Sequence, residues 1–139
     1  MSVLLNPYIN FNDQAEAALT FYKSVFGGET EISRFAEFPD LPMPVPEDQK
    51  NLVMHGVLKS GDLQIMAADS KPMGEVKVGN NITISLSGDD ETKLKKYWEG
   101  LTDGGAITMP MNVAPWGDQF GMLTDKFGIN WLVNITAAK

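Results

Sequence analysis

One histidine, His55, carries the side chain in this sequence whose ordinary pKa lies nearest neutrality. It stands in an alternating run, so the pattern predicts a strand in which His55 shares a face with Val53 and Val57. An imidazole there could be a base or hydrogen-bond donor in a pocket. It could equally be a strand histidine satisfied by a backbone group or lying at a dimer edge, and both readings remain open.

Polar, uncharged side chains recur at every second position in two predicted strands. Period-two alternation gives each strand one polar and one apolar side, and the polar side faces either solvent or a cavity. Amides and hydroxyls suit hydrogen bonding to a ligand better than metal catalysis. The polar positions are Asn6, Tyr8 and Asn10 in one strand and Asn81, Thr83 and Ser85 in the other; the apolar alternates are Leu5, Ile9, Phe11, Ile82, Ile84 and Leu86.

Two tryptophans receive different predictions. Trp116 follows Ala114-Pro115 and precedes Gly117, so it belongs to a loop or strand end, where it either caps a pocket or covers the core. Trp131 alternates with Val133 and Ile135, and we expect it to be buried. Asp69 and Asp125 occupy turn positions, where we expect their carboxylates to accept hydrogen bonds from backbone amides.

Several kinds of chemistry are excluded by composition. The chain of 139 residues contains no cysteine, which removes disulfides, thiolate catalysis and Cys-based metal sites. No Ser-His-Asp order, phosphate-binding loop or metal motif is present, so the sequence assigns no catalytic residue. A net charge of −7 argues against nucleic-acid and anionic-membrane partners. No apolar run approaches the ~20 residues of a membrane span, so we expect a cytoplasmic protein.

The elements that must position these residues form a repeat. Asp13 precedes an apolar stripe that ends before Gly27-Gly28, and Asp89 precedes a matching stripe 76 positions later that ends before Gly104-Gly105. The spacing i, i+3, i+4, i+7 predicts two amphipathic helices, with each aspartate as N-cap and each glycine pair as the stop. The stripes are Ala18, Phe21, Tyr22 and Val25, then Leu94, Tyr97, Trp98 and Leu101.

The whole pattern predicts a βαβββ module twice within one domain over residues 1–139, repeat one about 1–70 and repeat two about 80–139. We expect a helix from Asn12-Asp13 to Phe26 and a hairpin around Ser60-Gly61-Asp62. The predicted strands are Leu4 to Phe11, Glu29 to Phe38 with a bulge, Leu52 to Lys59, Leu63 to Ala67, Asn81 to Leu86, Ile107 to Val113, Phe120 to Thr124 and Ile129 to Thr136.

A proline-rich segment, Pro39 to Gln49, interrupts the first repeat. It holds four of the eight prolines and cannot be a regular element. A surface loop of this length is either a lid or partner contact, or an insertion with no role.

This layout resembles the vicinal-oxygen-chelate superfamily of glyoxalases, bleomycin-resistance proteins and dioxygenases, and most closely its PhnB-like branch, labelled 3-demethylubiquinone-9 3-methyltransferase. The resemblance implies an α+β fold whose two βαβββ modules form a half-open, barrel-like sheet around a central cavity, completed in a homodimer. The residues that carry it are Leu5-Asn6-Pro7-Tyr8 and Phe11, Ala17-Ala18-Leu19, Phe21-Tyr22, Phe26-Gly27-Gly28, His55, Gly61-Asp62, Ile65-Met66, Asp69, Trp116-Gly117, Gly121, Asp125-Lys126-Phe127-Gly128 and Trp131.

The superfamily's four metal-ligand positions depart from pattern in this chain. They fall at Asn6, near Gln64 or Met66, at Asn81 and near Leu132, where a dication site needs carboxylate or imidazole. We therefore expect no metal and no cofactor. The methyltransferase label is also unsupported, because the Gly-Gly pairs close helices, whereas a cofactor-binding loop opens one.

The sequence thus leads to two functional hypotheses. The first is a metal-free protein that binds a small organic molecule in the cavity through Asn6, Tyr8, His55, Asn81, Thr83, Ser85 and Trp116. The alternative is an enzyme of the same superfamily acting on a small organic substrate, with His55 or Tyr8 as acid or base.

Overall fold

The computed structural model describes residues 2–137, and the chain divides into two compact units, Met1–Lys77 and Val78–Lys139. Each unit contains a strand, a helix and then three strands, so the predicted βαβββ order occurs twice. The assignment of residues 1–139 to a single domain stays a prediction. No helix within residues 2–137 is long and apolar enough to cross a membrane.

The first unit builds one four-stranded sheet with the order β1-β4-β3-β2. Its first strand pairs in parallel with its last, and the remaining pairs are antiparallel. The elements are β1 (Tyr8–Phe11), α1 (Ala15–Phe26), β2 (Glu29–Arg34), β3 (Val53–Ser60) and β4 (Leu63–Asp69).

The second unit repeats this topology in a sheet with the order β5-β8-β7-β6. Here too the first and last strands are parallel and the others antiparallel. Its elements are β5 (Ile84–Gly88), α2 (Glu91–Thr102), β6 (Ala106–Val113), β7 (Gln119–Thr124) and β8 (Asn130–Ile135).

Each helix lies against its own sheet at a glycine. A Cβ on Gly56 would lie 2.6 Å from Leu19 Cδ1, so α1 lies against β3 more closely than any side chain at residue 56 would permit. In the second unit, a Cβ on Gly121 would lie 2.7 Å from the Trp98 ring, which places α2 over β7. Trp131 is 1% exposed, which confirms its predicted burial.

The predicted helix caps are wrong by one residue. The N-cap positions are Gln14 and Asp90, where the pattern had indicated Asp13 and Asp89. Asp90 accepts a hydrogen bond from Lys93 N at 3.1 Å, as a local cap should. In α1 the first helical amide, that of Ala15, instead donates to Asp69 Oδ1 at 2.9 Å, so the cap comes from a distant strand.

Two predicted strands begin later than the sequence indicated. β1 starts at Tyr8, because Pro7 has no amide with which to enter the ladder. β5 starts at Ile84, so the preceding polar stretch lies outside the sheet. As a result Leu5 is 99% exposed and Ile82 is 76% exposed, although alternation had placed both on an apolar side.

The connection between β2 and β3 departs from the predicted long strand and structureless loop. β2 ends at Arg34, and the predicted bulge is confirmed by a register shift between Ser33 and Arg34. The chain then forms a 3₁₀ turn at Phe35–Glu37, followed by an irregular segment and a second 3₁₀ turn at Glu47–Gln49.

Candidate functional site

Tyr8 and His55 lie on the face of the first sheet opposite α1, which we call the first distal face. Because Gly56 points at α1, alternation turns His55 and Val57 to the other side. Val57 aligns with Met66, and Met66 aligns with Tyr8. The ring of Tyr8 stacks on that of His55, with centroids 5.8 Å apart and planes at 27°.

The surroundings of this pair come from three strands. Ser33 stands opposite His55 in the β2–β3 register, and Asn10 follows Tyr8 on the same side of β1. Asn10 Oδ1 accepts a hydrogen bond from Ser70 Oγ at 3.2 Å. Glu29 and Glu31 bring two carboxylates to the β2 edge of the face, and Lys59, opposite Glu29, brings one ammonium group.

Val53 does not share this face, contrary to the sequence pattern. Its side chain lies 3.4 Å from the position of a Gly56 Cβ, so it belongs to the helix side. The cause is the irregular register: Ser33 aligns with His55 and Arg34 with Val53, which leaves Met54 as an extra residue and breaks strict alternation.

The second unit presents an equivalent face opposite α2, called here the second distal face. Gly121 points toward α2, so Phe120 points away, and Leu132 aligns with Ser85 on that same far side. Trp116, 61% exposed, meets Phe120 edge to face with ring centroids 5.7 Å apart. Ser85 and Trp116 are therefore both associated with this face.

The remaining predicted ligand-binding residues lie outside the strands. Asn6 precedes β1 and is half-buried, whereas Asn81 and Thr83 precede β5 and are exposed. The strand face that had grouped them with Tyr8 and Ser85 does not extend that far. That residues of both units line one cavity stays a prediction.

Sequence reasoning missed Ser33 and Phe120 as neighbours of the predicted residues. Ser33 faces His55 only because of the bulge, whose exact register a single sequence does not fix. Phe120 was assigned to a strand, and the Pro115-Trp116-Gly117 turn signal that precedes it could have indicated their contact.

Electrostatics single out a different residue, the buried Asp69. Burial raises the pKa of its carboxyl, while hydrogen bonds from the amides of Val53 and Ala15 act in the opposite direction. Asp69 is 1% exposed and accepts both amides at 2.9 Å, so it acts as a structural anchor between α1 and β3.

A second buried carboxylate, Asp125, anchors the turn before β8. It accepts the amides of Phe127 and Ile129 and the indole N–H of Trp131, at 2.8, 3.1 and 2.8 Å. The expectation that Asp69 and Asp125 hold backbone amides is confirmed. Asp69 is not in a turn, however: it is the last residue of β4 and holds amides 54 and 16 positions away.

Residues 2–137 contain no group of three or more His, Asp or Glu side chains arranged to hold a metal ion. Of the positions where the resemblance places metal ligands, Gln64 and Met66 lie on the first distal face and Leu132 lies on the second. The chemistry that these faces offer is hydrogen bonding by amides, hydroxyls and one imidazole, together with stacking on Tyr8 and Trp116.

Comparisons with known proteins agree with this architecture. Residues 4–134 match the family described as 3-demethylubiquinone-9 3-methyltransferase. The crystal structure of protein PA1353 from Pseudomonas aeruginosa is 33% identical and superimposes with a TM-score of 0.80, covering 96% of this chain and 98% of that one.

Two further solved structures share the fold at lower identity. A PhnB protein from Bacillus cereus is 23% identical, with a TM-score of 0.73 over 96% of this chain and 100% of its own. A glyoxalase/bleomycin resistance protein/dioxygenase family enzyme from Burkholderia phytofirmans is 14% identical, with a TM-score of 0.63 over 95% and 97% of the two chains. The predicted α+β, glyoxalase-like fold class is confirmed.

Proposed function

The chain belongs to the family described as 3-demethylubiquinone-9 3-methyltransferase, and from that premise we propose that it binds a small organic molecule without a metal ion. The binding surface is the first distal face. The observation that carries the proposal is the stack of Tyr8 on His55, because Tyr8 is 46% exposed and leaves ring area free for a planar ligand.

The ligand class follows from the polar groups on that face. Asn10, His55 and Tyr8 offer donors and acceptors without a full charge in their ordinary neutral forms. At the β2 edge the two carboxylates of Glu29 and Glu31 outnumber the one ammonium group of Lys59, which disfavours an anion. The best match is an uncharged or only weakly acidic molecule with a planar apolar part.

A metal is not required for this function. At the family's ligand positions, Asn6, Gln64 and Met66 are weak ligands for a divalent cation compared with imidazole or carboxylate. Purified protein should carry no stoichiometric divalent metal when measured by plasma mass spectrometry. One equivalent of zinc, nickel, iron or manganese that survives dialysis would overturn this part of the proposal.

The family's description implies a methyl donor such as adenosylmethionine, and the helix starts do not fit one. Such a cofactor is held by a glycine-rich loop that opens a helix after a strand, and Gly27 instead ends α1 at its C-cap. The start of α1 is occupied by the Asp69 carboxylate, which would repel an anionic group there. Methyl transfer is therefore not part of the proposal.

A second candidate is catalysis by the same pair on a small organic substrate. The imidazole of His55 stacks on the phenol of Tyr8, so a substrate bound there would meet two groups able to move a proton. A chemical change of a bound molecule that is abolished in both His55→Gln and Tyr8→Phe would favour this candidate. Binding that survives Tyr8→Phe without turnover favours the first.

We also propose a cytoplasmic homodimer. β2 and β6 end the two sheets, and Ile107 and Val113 on β6 are 53% and 72% exposed. Native proteins cover or charge such edges. Light scattering at tens of micromolar should give a mass near twice 15.2 kDa, and a monomer mass would count against the dimer.

The central test is a thermal-shift screen with neutral aromatic metabolites. A ligand at 100 times its Kd should stabilise the protein by about 2.7 kcal/mol. Tyr8→Ala should weaken binding of any hit while changing the unliganded Tm little, since Tyr8 is half exposed. Met73→Ala, another exposed residue of the first unit, serves as the control. Equal loss in both variants would exclude the first distal face.

A further inference from the structure

The connection between β2 and β3 forms a half-open cavity that is separate from the stack of Tyr8 on His55. Its volume is about 350 Å³, and all of its lining residues lie between positions 35 and 50 of the first unit. That volume falls in the range of ligand pockets, about 300–1,000 Å³. We call this cavity the proline-loop pocket. Its main lining residues are Phe35, Leu41, Met43, Val45 and Lys50.

The outer wall of the proline-loop pocket is stiffened by its sequence. Leu41, Met43 and Val45 are each followed by proline, which holds the preceding residue in an extended conformation. Leu41, Met43 and Val45 are half-buried and the prolines between them are exposed, and the whole run from Leu41 to Val45 lines the pocket.

The base of the pocket is tied to the sheet by backbone hydrogen bonds. Phe35 N donates to Leu52 O at 3.2 Å, and Ala36 N donates to Lys50 O at 2.8 Å. These bonds extend the pairing of β2 with β3 beyond the strands. Phe35 is 2% exposed and provides a fixed aromatic floor. A fixed floor and a stiff wall reduce the entropy lost on binding.

Among the residues that line the proline-loop pocket, Lys50 carries the one charged side chain. Lys50 Nζ pairs with Glu47 Oε2 at 2.7 Å, and the Glu47 side chain is 89% exposed. Pairs this exposed contribute little, because solvent screens them and both side chains lose freedom. An incoming anion can therefore replace Glu47 at small cost.

We propose that the proline-loop pocket binds a small amphipathic anion, whose aromatic or aliphatic body contacts Leu41 and Met43 and whose acidic head pairs with Lys50. This assigns a role to a segment that the sequence left as either a lid or an idle insertion. The inference does not rest on the function proposed for the first distal face, since the two sites share no residue.

Two fluorescent probes with the same aromatic body separate the apolar and charged contributions. Anilinonaphthalene sulfonate carries an anionic head, and N-phenylnaphthylamine lacks one. Lys50→Gln should weaken binding of the sulfonate probe by at least about threefold. Glu47→Gln should strengthen binding of the same probe by about twofold or more. Neither change should alter the uncharged probe. Lys23→Gln and Asp62→Asn are the charge-matched controls, which should leave both probes unaffected.

The apolar contribution is tested by placing a charge in the wall. Met43→Asp should weaken the binding of both probes at least about tenfold, because the carboxylate would stand beside the apolar side chains of Leu41 and Val45. Met73→Asp, at a residue 59% exposed, is the matched control and should change neither. Thermal unfolding of each variant checks that the fold is retained.

Three results would overturn the proposal. The first is equal binding to wild type and Met43→Asp. The second is a loss of sulfonate binding in Lys23→Gln as large as in Lys50→Gln, which would indicate net charge alone. The third is a loss of probe binding in Tyr8→Ala as large as in Met43→Asp. That result would show that the probes bind at the first distal face, and the function proposed for that face would still stand.

Discussion

The helices of the two units occupy matching positions, yet they bury different amounts of apolar surface. α1 and α2 each span twelve residues, 76 positions apart. α1 buries seven residues and α2 buries three. The three in α2, Leu94, Tyr97 and Leu101, align with three buried residues of α1. One narrow stripe is therefore enough to dock a helix on this sheet, and the additional burial in α1 is specific to the first unit.

The residues beside the stripe show where the units differ. Leu19 of α1 is fully buried, whereas its counterpart in α2 is Lys95, whose ammonium lies 3.6 Å from Glu91 at the surface. Burying a leucine contributes about 1.5–3 kcal/mol, while an exposed helical ion pair contributes about 0.3–0.5 kcal/mol. Packing of the side chain at this position therefore contributes to the stability of the first unit, whereas the equivalent position contributes little to the stability of the second.

The largest expected effect is at this pair of positions. Leu19→Ala should lower the free energy of unfolding by about 2–5 kcal/mol, because the cavity beneath it cannot fully collapse. Lys95→Ala should change it by less than about 0.5 kcal/mol. Urea unfolding followed by circular dichroism measures both. Comparable losses would show that the two helices are energetically equivalent.

The helix caps provide the next largest contrast. Asp69→Ala leaves the buried amides of Ala15 and Val53 without their acceptor and should cost about 2–4 kcal/mol. Asp90→Ala removes a local, exposed cap and should cost about 1 kcal/mol.

Asp89→Ala, at the cap position that the sequence had indicated, is the matched control in the same urea experiment. Its expected effect is near zero. A loss at Asp89 as large as that at Asp90 would contradict the observed cap.

The raised pKa of Asp69 makes its contribution depend on pH. A carboxyl with a higher pKa in the folded than in the unfolded state binds protons more readily when folded. Protonation of Asp69 therefore increases the free energy of unfolding as pH falls through the folded pKa. That increase is complete below the unfolded pKa of about 3.9.

Wild type should consequently lose less stability than Asp69→Asn between neutral pH and pH ~4, because asparagine does not titrate. Thermal unfolding across that range is the measurement. A steeper loss in wild type would mean that the two amide hydrogen bonds outweigh burial.

The smallest expected effect lies at the surface of α1. Glu16 receives two hydrogen bonds from Arg34, at 3.1 and 2.8 Å, and this contact lowers the pKa of Glu16. The stabilisation is present above the unfolded pKa and is lost as pH falls through the lower folded value. Both side chains are well exposed, so Glu16→Gln should cost at most about 1 kcal/mol at neutral pH. A larger cost would show that this pair is more than a surface contact.

The sequence predicted the repeat, both helices and most strand positions, because periodic apolar residues determine which face is buried. Its errors lie where contacts between distant residues decide the outcome. Asp69 caps a helix that begins 54 positions earlier, and no local pattern around Asp13 reveals that. Similarly, Leu5 and Ile82 continue the alternation of a strand but lie beyond its last hydrogen-bonded partner.

The candidate sites were less predictable than the fold. Alternation correctly turned Tyr8 away from the helix side, and its contact with His55 depends on the register that joins three strands. The proline-loop pocket was visible only as a loop, because its alternating X-Pro run reads as irregular in a search for helices and strands.

The parallel pairing of β1 with β4 has a consequence for the order of events on the ribosome. Within each unit, the strand made first finds its partner in the strand made last, and the antiparallel pairs between them form from nearby segments. During synthesis, Phe11 can pair with its register partner Asp69 only after Asp69 has left the exit tunnel. The hydrogen bond from the Ala15 amide to Asp69 can form only at the same stage. Closure of the first sheet and capping of its helix therefore become possible together, in one late step that precedes emergence of the second unit.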